Sequence, residues 1–135
     1  MIKIAVVEDE IEMSNQLLKY IKQFFDENDL DYSVMVFDNA IKLLDNYDFS
    51  FDLIFMDINM PLLNGVEASK KLREIDSEVT LIFITSLAQY AIKGYEVNAF
   101  DFILKPVAYY NFAIKLTRAL DKLSKEVAKS LEINN

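Results

Sequence analysis

The sequence predicts an α/β fold in which a doubly wound, five-stranded parallel sheet is flanked by five helices. Short apolar runs alternate with segments of helical periodicity along the 135 residues. Strict alternation is typical of a parallel sheet that helices cover on both faces. No hairpin signal joins successive strands, and the presence of only 2 glycines and 2 prolines disfavours a turn-rich all-β fold.

The chain begins with a strand and an amphipathic helix. Residues 3–7 form a short β-branched run that is typical of a buried strand. From Ile11 onwards, apolar residues recur every three to four positions, which indicates one face of a helix. The residues of that face are Met13, Leu17, Ile21 and Phe24 or Phe25.

A second strand and a short helix follow. The strand is predicted over residues 31–37 and the helix over residues 39–47, with Asp38 or Asn39 as its N-cap. The apolar residues of this helix are Ala40, Leu43 and Leu44.

The third strand is predicted over residues 51–56 and ends at Asp57. Pro61 and Gly65 indicate a loop after it. The next helix is predicted over residues 66–75. Its inward-facing residues are expected to be Ala68, Leu72 and Ile75.

The last part of the chain continues the alternation. A fourth strand is predicted over residues 79–84 and a helix over residues 87–97. The fifth strand, residues 100–104, is stopped by Pro106, and a long helix starts at Tyr109.

Composition excludes several kinds of chemistry. The 53% of hydrophobic and 27% of charged residues fit a soluble globular domain. With 14 basic and 22 acidic residues the net charge is −8, which argues against direct nucleic-acid contact. There is no cysteine and no histidine, so disulfides, thiol nucleophiles and imidazole bases are excluded. The remaining carboxylates favour hard cations such as magnesium.

Targeting signals are not evident. The N-terminal apolar run is short and ends in three acids, unlike a signal peptide. No run approaches the ~18 apolar residues that a membrane helix needs. A cytoplasmic protein that does not contact a membrane is therefore expected.

The carboxyl ends of the strands are where doubly wound sheets form their sites. This rule selects four groups of residues: Glu8, Asp9 and Glu10; Asp57 to Pro61; Thr85 and Ser86; Lys105 and Pro106. Taken singly, each has an ordinary interpretation, such as a solvated acidic loop, a helix N-cap or a surface lysine. Their occurrence together at one sheet edge favours a functional site.

The chemistry of these groups matches phosphoryl transfer. Carboxylates that converge from neighbouring strands repel one another, and a magnesium ion relieves that repulsion. The Lys105 ammonium and the Thr85 hydroxyl can contact phosphoryl oxygens, and Asp57 can act as the nucleophile.

The combined pattern resembles the receiver domain of bacterial two-component response regulators from about residue 2 to about residue 123. The matching residues are Glu8-Asp9, Asp57-Ile58-Asn59-Met60-Pro61, Asn64-Gly65, Thr85-Ser86 and Lys105-Pro106. The segment from Ala91 to Val107 further resembles LytTR-type regulators.

The resemblance implies a phosphoacceptor and a magnesium site. Asp57 matches the residue that takes the phosphoryl group. Glu8 and Asp9 match the acidic pair that holds Mg²⁺ together with Asp57, and Asn59 matches the position whose backbone carbonyl joins them. The implied fold is flavodoxin-like, with strand order 2-1-3-4-5.

Other implied roles concern the response to phosphorylation. Thr85 matches the switch hydroxyl, Phe102 the aromatic switch position and Lys105 the phosphate-binding lysine. The bond before Pro106 matches one that is usually cis. Asn64 stands where the family often has Asp, outside the metal and phosphate groups.

The implied protein is a signalling domain rather than an enzyme, although it assists its own phosphorylation and dephosphorylation. Its phosphoryl donor would be a sensor histidine kinase, and its output a LytTR-type DNA-binding domain that this chain does not contain. Phosphorylation-dependent homodimerisation is also implied. We expect residues 1–123 to form the receiver domain and residues 124–135 to form a helical extension toward the output domain.

The apolar spacing of the last helix bears on that boundary. Its stripe covers only two heptads, too few for a coiled coil. The residues of the stripe are Leu116, Leu120, Leu123, Val127 and Leu131. The alternative is a helix that covers its own sheet as far as Leu123 and frays afterwards.

Three other functions fit part of the pattern. A haloacid-dehalogenase-like phosphohydrolase also uses an aspartyl phosphate and magnesium, but its nucleophile follows the first strand and a second Asp follows two residues later. A flavodoxin-like cofactor binder needs a phosphate loop after the first strand, where this chain has three acids. A receiver-like binding module that never takes phosphate would not need the complete set of groups.

Overall fold

The computed structural model describes residues 1–86 and 88–134, with side chains described as far as residue 129. Five strands alternate with helices along this part of the chain. The strands are β1 (Ile2–Val7), β2 (Tyr32–Phe37), β3 (Leu53–Asp57), β4 (Thr80–Thr85) and β5 (Asp101–Leu104). The helices are α1 (Ile11–Glu27), α2 (Ala40–Asp45), α3 (Gly65–Ile75), α4 (Ala91–Glu96) and α5 (Tyr109–Asn134).

The five strands form one parallel sheet in the order β2-β1-β3-β4-β5. This confirms the predicted fold class and strand order. β2 lies next to β1 along one of its edges, and β3 lies next to β1 along the other, so the strand order reverses at β1. Sites of doubly wound sheets lie at such a reversal, outside the carboxyl ends of the strands.

Helices cover both faces of the sheet, and the side chains of β1 show how the core divides. Ile4 and Val6 pack with α1 and α5, whereas Ala5 and Val7 pack with α2 and α3. Successive side chains of a strand point to opposite faces, so a strand that is covered on both sides has to be apolar throughout. This is why β1, β3 and β4 appear in the sequence as continuous apolar runs.

Most predicted elements are confirmed within two residues at each boundary. Asn39 is the N-cap of α2, because its side chain accepts a hydrogen bond from the Lys42 backbone amide at 2.9 Å. The prediction that Ile75 faces inward is wrong, since its side chain is 49% exposed. Ile75 is the last residue of α3, about one turn beyond Leu72, which is the last buried residue of the helix.

The predicted helix over residues 87–97 is shorter than expected. A 3-10 turn covers Ala88–Tyr90, and regular α-helix extends over Ala91–Glu96 only. Leu87 lies outside the described residues. No helix in the described part of the chain is both long and apolar enough to cross a membrane.

A polar network joins α3, α4 and β4 near the amino-terminal ends of the strands, which we call the amino edge of the sheet. The candidate site lies at the opposite, carboxyl edge. The Arg73 side chain donates to the carbonyl oxygens of Val97 at 2.7 Å, Val79 at 2.7 Å and Asn98 at 3.0 Å. It therefore links α3 to the start of β4 and to the C-terminal end of α4. Positive charge at the end of a helix is also favourable for the helix dipole.

Asp76 completes this network. Its carboxylate accepts a hydrogen bond from the Tyr47 hydroxyl at 2.5 Å and from the Val79 and Glu78 amides at 3.1 and 3.0 Å. Burial by itself would raise the pKa of Asp76, but these hydrogen bonds outweigh it and lower the pKa below its ordinary value. The loop before β3 is thus tied to the end of α3.

We expect Tyr47→Phe to lower the free energy of unfolding by about 1–2 kcal/mol at pH 7, because a hydrogen bond to a charged group is lost. A carboxyl group with a depressed folded pKa stabilises the fold above its unfolded pKa, and that contribution is lost as the pH falls through the folded value. The difference between the two proteins should therefore shrink as the pH falls below the ordinary Asp value of 3.8.

Urea unfolding followed by circular dichroism between pH 7 and pH 3 measures this difference. Tyr95→Phe is the matched control, because the Tyr95 side chain is exposed. A Tyr47→Phe effect that is equal at all pH values would show that the hydroxyl does not act through the Asp76 carboxylate.

Candidate functional site

The strand register brings the predicted site residues to one edge of the sheet. Val7, the last residue of β1, pairs with Met56, so Glu8 lies beside Asp57. Asp57 in turn pairs with Ile84, and Thr85 pairs with Leu104 just before Lys105. Ligand oxygens of Glu8, Asp9 and Asp57 lie within 4.8 Å of one another.

Lys105 joins two of these carboxylates. Its Nζ atom lies 3.0 Å from Glu8 Oε1 and 3.4 Å from Asp57 Oδ1. The Glu8 and Asp57 residues are only 2% and 3% exposed. A buried carboxylate without a counter-charge is costly, so the ammonium group offsets part of the desolvation of both acids.

Backbone amides hold the orientation of the two acids. The Glu10 amide donates to Glu8 Oε2 at 3.2 Å, and the Asn59 amide donates to Asp57 Oδ1 at 3.3 Å. The loop that supplies the Asn59 amide is closed by a hydrogen bond from the Gly65 amide to the Ile58 carbonyl at 2.9 Å.

Gly65 allows α3 to approach Asp57 at the end of β3. A Cβ atom at Gly65 would collide with the carbonyl oxygen of Asp57 and would lie 2.8 Å from Ile58 Cα. Only glycine therefore fits between the start of α3 and the end of β3. In the sequence this glycine indicates a loop; the close contact that requires it is visible only in the folded chain.

The surroundings perturb all three ionisable groups. Burial, with a smaller contribution from the neighbouring Asp57, raises the pKa of Glu8 from 4.5 to about 7. Burial also raises the pKa of Asp57, although Lys105 opposes the shift. For Lys105, burial would lower the pKa, but its contacts with Glu8 and Asp57 outweigh this and raise it. These directions fit carboxylates that lack sufficient positive charge.

The residues present fit a magnesium ion. Glu8 Oε1 and Asp9 Oδ1 are buried and accept no hydrogen bond within the described part of the chain. The Lys105 contact with Glu8 Oε1 is an ion pair without hydrogen-bond geometry. Buried carboxylate oxygens that accept no hydrogen bond, grouped within 4.8 Å of one another, are the hard donors that Mg²⁺ prefers.

Hydrogen bonds attach the loop after β5 to β4 and to α1. The Lys105 amide donates to the Thr85 carbonyl at 2.8 Å, and the Lys105-Pro106 peptide bond is cis, as implied by the resemblance. The Tyr20 hydroxyl donates to the Val107 carbonyl at 2.9 Å. Sequence reasoning missed Tyr20, because nothing in the chain connects residues 87 positions apart.

Phe102 lies on β5 with a partly exposed side chain. The Lys115 ammonium lies 5.6 Å from the centre of its ring and forms an ion pair with Asp101 at 2.8 Å. A cavity of about 210 Å³ between α4 and β5 is lined by residues that include Phe83, Tyr95 and Phe102. The Phe102 ring is therefore next to open space and is not part of the fully buried core.

Comparison with known proteins identifies the family. The model of the response regulator receiver domain matches residues 4–117 of the chain. The chain belongs to this family. Receiver domains are signalling domains rather than conventional enzymes, and the match favours this reading over the haloacid-dehalogenase-like and flavodoxin-like alternatives.

The relatives agree with the LytTR-type resemblance. The chain is 35% identical over 132 residues to the sensory transduction protein LytT of Oceanobacillus iheyensis, covering 95% of this chain and 52% of that protein. The chain thus spans about half the length of the curated relatives that it matches.

Solved structures share the fold. The response regulatory domain of MrkE from Klebsiella pneumoniae superposes with a TM-score of 0.81 at 26% identity, over 92% of this chain and 99% of that one. The BeF₃-activated DrrB receiver domain from Thermotoga maritima gives a TM-score of 0.72 at 25% identity, over 90% and 98%.

We expect Asp9→Asn to raise the metal-free stability by about 1–2 kcal/mol, because it removes one charge from the acidic cluster. The same change should abolish magnesium binding that is measurable in the unsubstituted protein. Urea unfolding in EDTA and isothermal calorimetry with MgCl₂ measure the two effects. Glu10→Gln, an exposed acid on the same loop, is the control and should change neither. Unaltered Mg²⁺ affinity in Asp9→Asn would contradict the metal role of Asp9.

Proposed function

We propose that this chain accepts a phosphoryl group on Asp57 from a histidine kinase, in a reaction that depends on Mg²⁺. The observation that carries the proposal is the placement of Asp57: a buried carboxylate at a strand end, 3.4 Å from the Lys105 ammonium and grouped with Glu8 and Asp9. The fold of a family of phosphorylated signalling domains supports it.

The covalent step is a displacement at phosphorus. A carboxylate oxygen of Asp57 forms the new P–O bond, while the P–N bond of a phosphohistidine breaks and its electron pair stays on the imidazole nitrogen. With acetyl phosphate, the P–O bond to the acetyl group breaks and acetate leaves. The carboxyl group must be ionised to attack, and the nearby Lys105 ammonium favours the ionised form.

Lys105 and Thr85 position the phosphoryl group. The Lys105 ammonium lies 3.4 Å from Asp57 Oδ1. It can therefore bind the negatively charged oxygens of a phosphoryl group on Asp57 with little movement. Thr85 ends the adjacent strand and can donate its hydroxyl hydrogen to another oxygen.

Glu8, Asp9, Asp57 and the Asn59 carbonyl would hold Mg²⁺, which supplies further positive charge to the phosphoryl oxygens when bound. The same groups would assist the later hydrolysis of the aspartyl phosphate. The domain would thereby control its own phosphorylation and dephosphorylation.

Asp57→Asn should fold like the unsubstituted protein and take no label from radiolabelled acetyl phosphate in MgCl₂, because an amide cannot form the acyl phosphate. Asp45→Asn, which changes an exposed residue of α2, is the control and should be labelled normally. Intact-mass spectrometry and autoradiography measure the outcome. Label that remains on Asp57→Asn would refute the assignment of the phosphoacceptor.

Phosphorylation is proposed to change the surface formed by α4, β5 and α5. Thr85 and Phe102 lie on adjacent strands, and Phe102 borders the cavity between α4 and β5. Movement of Thr85 toward the phosphoryl group would let Phe102 turn into that cavity. Phosphorylation of this kind shifts an equilibrium between two states of the same fold.

Beryllofluoride with Mg²⁺ should shift amide resonances over residues 88–107, well beyond the phosphoryl site, and should promote self-association or partner binding. Thr85→Ala should still bind beryllofluoride but lose the distant shifts. Ser86→Ala, which removes a neighbouring exposed hydroxyl, is the control. Shifts confined to residues next to the bound anion would show that this surface does not transmit the signal.

The receiver domain is proposed to extend over residues 1–123, with residues 124–135 as the extension toward an output domain. The Lys122 ammonium still donates to the buried Thr80 hydroxyl at 2.9 Å. Beyond it, Val127 is 61% exposed, and the Leu131 side chain lies outside the described residues. Deletion of residues 124–135 should leave the urea midpoint unchanged; a lower midpoint would move the boundary.

The whole protein is proposed to be a cytoplasmic transcription regulator. The LytT relative is about twice as long as this chain, which leaves room for a LytTR-type DNA-binding domain. DNA contact would belong to that domain, because this chain carries a net charge of −8. Phosphorylation-dependent homodimerisation is part of the same proposal. A full-length protein that binds DNA equally well before and after phosphorylation would contradict it.

A further inference from the structure

Leu62 combines backbone strain with exposure. Its φ is 70°, in the left-handed region, and its side chain is 82% exposed. This conformation brings Cβ close to the backbone, which is unfavourable for leucine, less so for asparagine, and without cost for glycine. An exposed apolar side chain gains little from burial, so the folded chain by itself offers no compensation for leucine at this position.

Leu62 lies on the loop that follows Asp57, the proposed phosphoacceptor. The loop leaves β3 directly at Asp57 and returns at Gly65, which packs against the Asp57 carbonyl. A hydrogen bond from the Leu63 amide to the Pro61 carbonyl at 2.8 Å closes a tight turn around Leu62. Leu62 is therefore the tip of the loop that connects Asp57, at the end of β3, to the start of α3.

Phe49 shows the same backbone feature in a different setting. Its φ is 64°, and its side chain is 60% exposed. Its ring, however, packs edge-to-face against Tyr47 with centroids 5.1 Å apart. Phe49 precedes β3 and lies at the amino edge of the sheet, opposite the pocket. It serves as an internal comparison for Leu62.

We infer that Leu62 is a docking residue for the protein that donates the phosphoryl group to Asp57. The inference rests on the proposed function. Asp57 is only 3% exposed, so a histidine side chain reaches it only if the donor's surface covers the mouth of the pocket. The tip of the adjoining loop then lies against the donor, and Leu62 becomes buried there. Strain kept at a functional edge is explained by a contact that forms only in the complex.

The test compares a protein donor with a small donor. Radiolabelled acetyl phosphate reaches Asp57 without covering the loop. The protein donor is the autophosphorylated, radiolabelled histidine kinase that labels the unsubstituted chain fastest in a panel of purified kinases. Leu62→Asn should slow transfer from the kinase about tenfold, the scale of one lost leucine contact. Labelling by acetyl phosphate should stay within about twofold, a change too small to represent a lost contact.

Two further variants separate side chain from backbone. Leu62→Met keeps an apolar side chain of similar size and should retain transfer from the kinase within about twofold. Leu62→Asn should raise the melting temperature by about 2–4 °C, because asparagine tolerates the left-handed conformation. Phe49→Asn, the matched control at the opposite edge, should leave labelling by both donors unchanged.

The outcomes are distinguishable. Equal slowing with both donors would show that Leu62 shapes the pocket and would overturn the docking role, as would unchanged transfer from the kinase. Slowing by Phe49→Asn equal to that of Leu62→Asn would overturn it as well. Label on Asp57→Asn from acetyl phosphate would instead overturn the proposed function itself, and a chain that acetyl phosphate labels but no kinase labels would overturn the proposed donor.

Discussion

The ion pairs of Lys105 with Glu8 and Asp57 are the interaction on which the rest of the structure depends. The three groups are the residue after β1, the last residue of β3 and the residue after β5, so the lysine reaches past the end of β4. Two nearly buried carboxylates at adjacent strand ends repel each other and lose hydration. One ammonium group is insufficient compensation, as the raised pKa of both acids shows.

The two edges of the sheet differ in how well their polar groups are satisfied. At the amino edge, Arg73 and Asp76 have several hydrogen bonds each and tie α3, α4 and β4 together. At the carboxyl edge, Glu8 Oε1 and Asp9 Oδ1 are buried without hydrogen bonds in the described part of the chain. Polar groups are well paired at the amino edge and poorly paired at the carboxyl edge. This difference suits a domain that keeps its fold while its carboxyl edge binds ligands and reacts.

The carboxyl edge of the sheet is positioned by contacts that do not involve the carboxylates of the acidic residues. Gly65 lets α3 press against the end of β3, and Tyr20 of α1 holds the loop after β5 through the Val107 carbonyl. The metal and phosphoryl groups would therefore meet a preformed pocket. In the proposed switch, reorganisation would be concentrated at Thr85, Phe102 and the short α4; Phe102 borders the cavity between α4 and β5. When the binding groups are already in position, less free energy is lost in ordering side chains and loops on binding.

The sequence alone determined the fold class, the order of elements and the edge at which the site forms. Apolar periodicity shows which strands are covered on both faces, and the parallel topology then places the residues after β1, β3, β4 and β5 together. Glu8, Asp9, Asp57, Thr85 and Lys105 could be named on that basis, because each lies at or just after the end of a strand. The family resemblance added Phe102 and the role of the Asn59 backbone carbonyl.

Only the tertiary structure decided the features that depend on distant contacts. Local pattern placed Ile75 on the inner face of α3, but Ile75 is the last residue of the helix and is exposed in the folded chain. It also predicted one helix over residues 87–97, where a 3-10 turn precedes a short α4. The hydrogen bond from Tyr20 to Val107 and the Arg73 network connect residues that are far apart in the sequence. The left-handed backbone and the exposure of Leu62 are likewise not evident from its neighbours in the sequence. Periodicity reports which side of an element is apolar, whereas side-chain pairing and backbone strain arise only when separate elements meet.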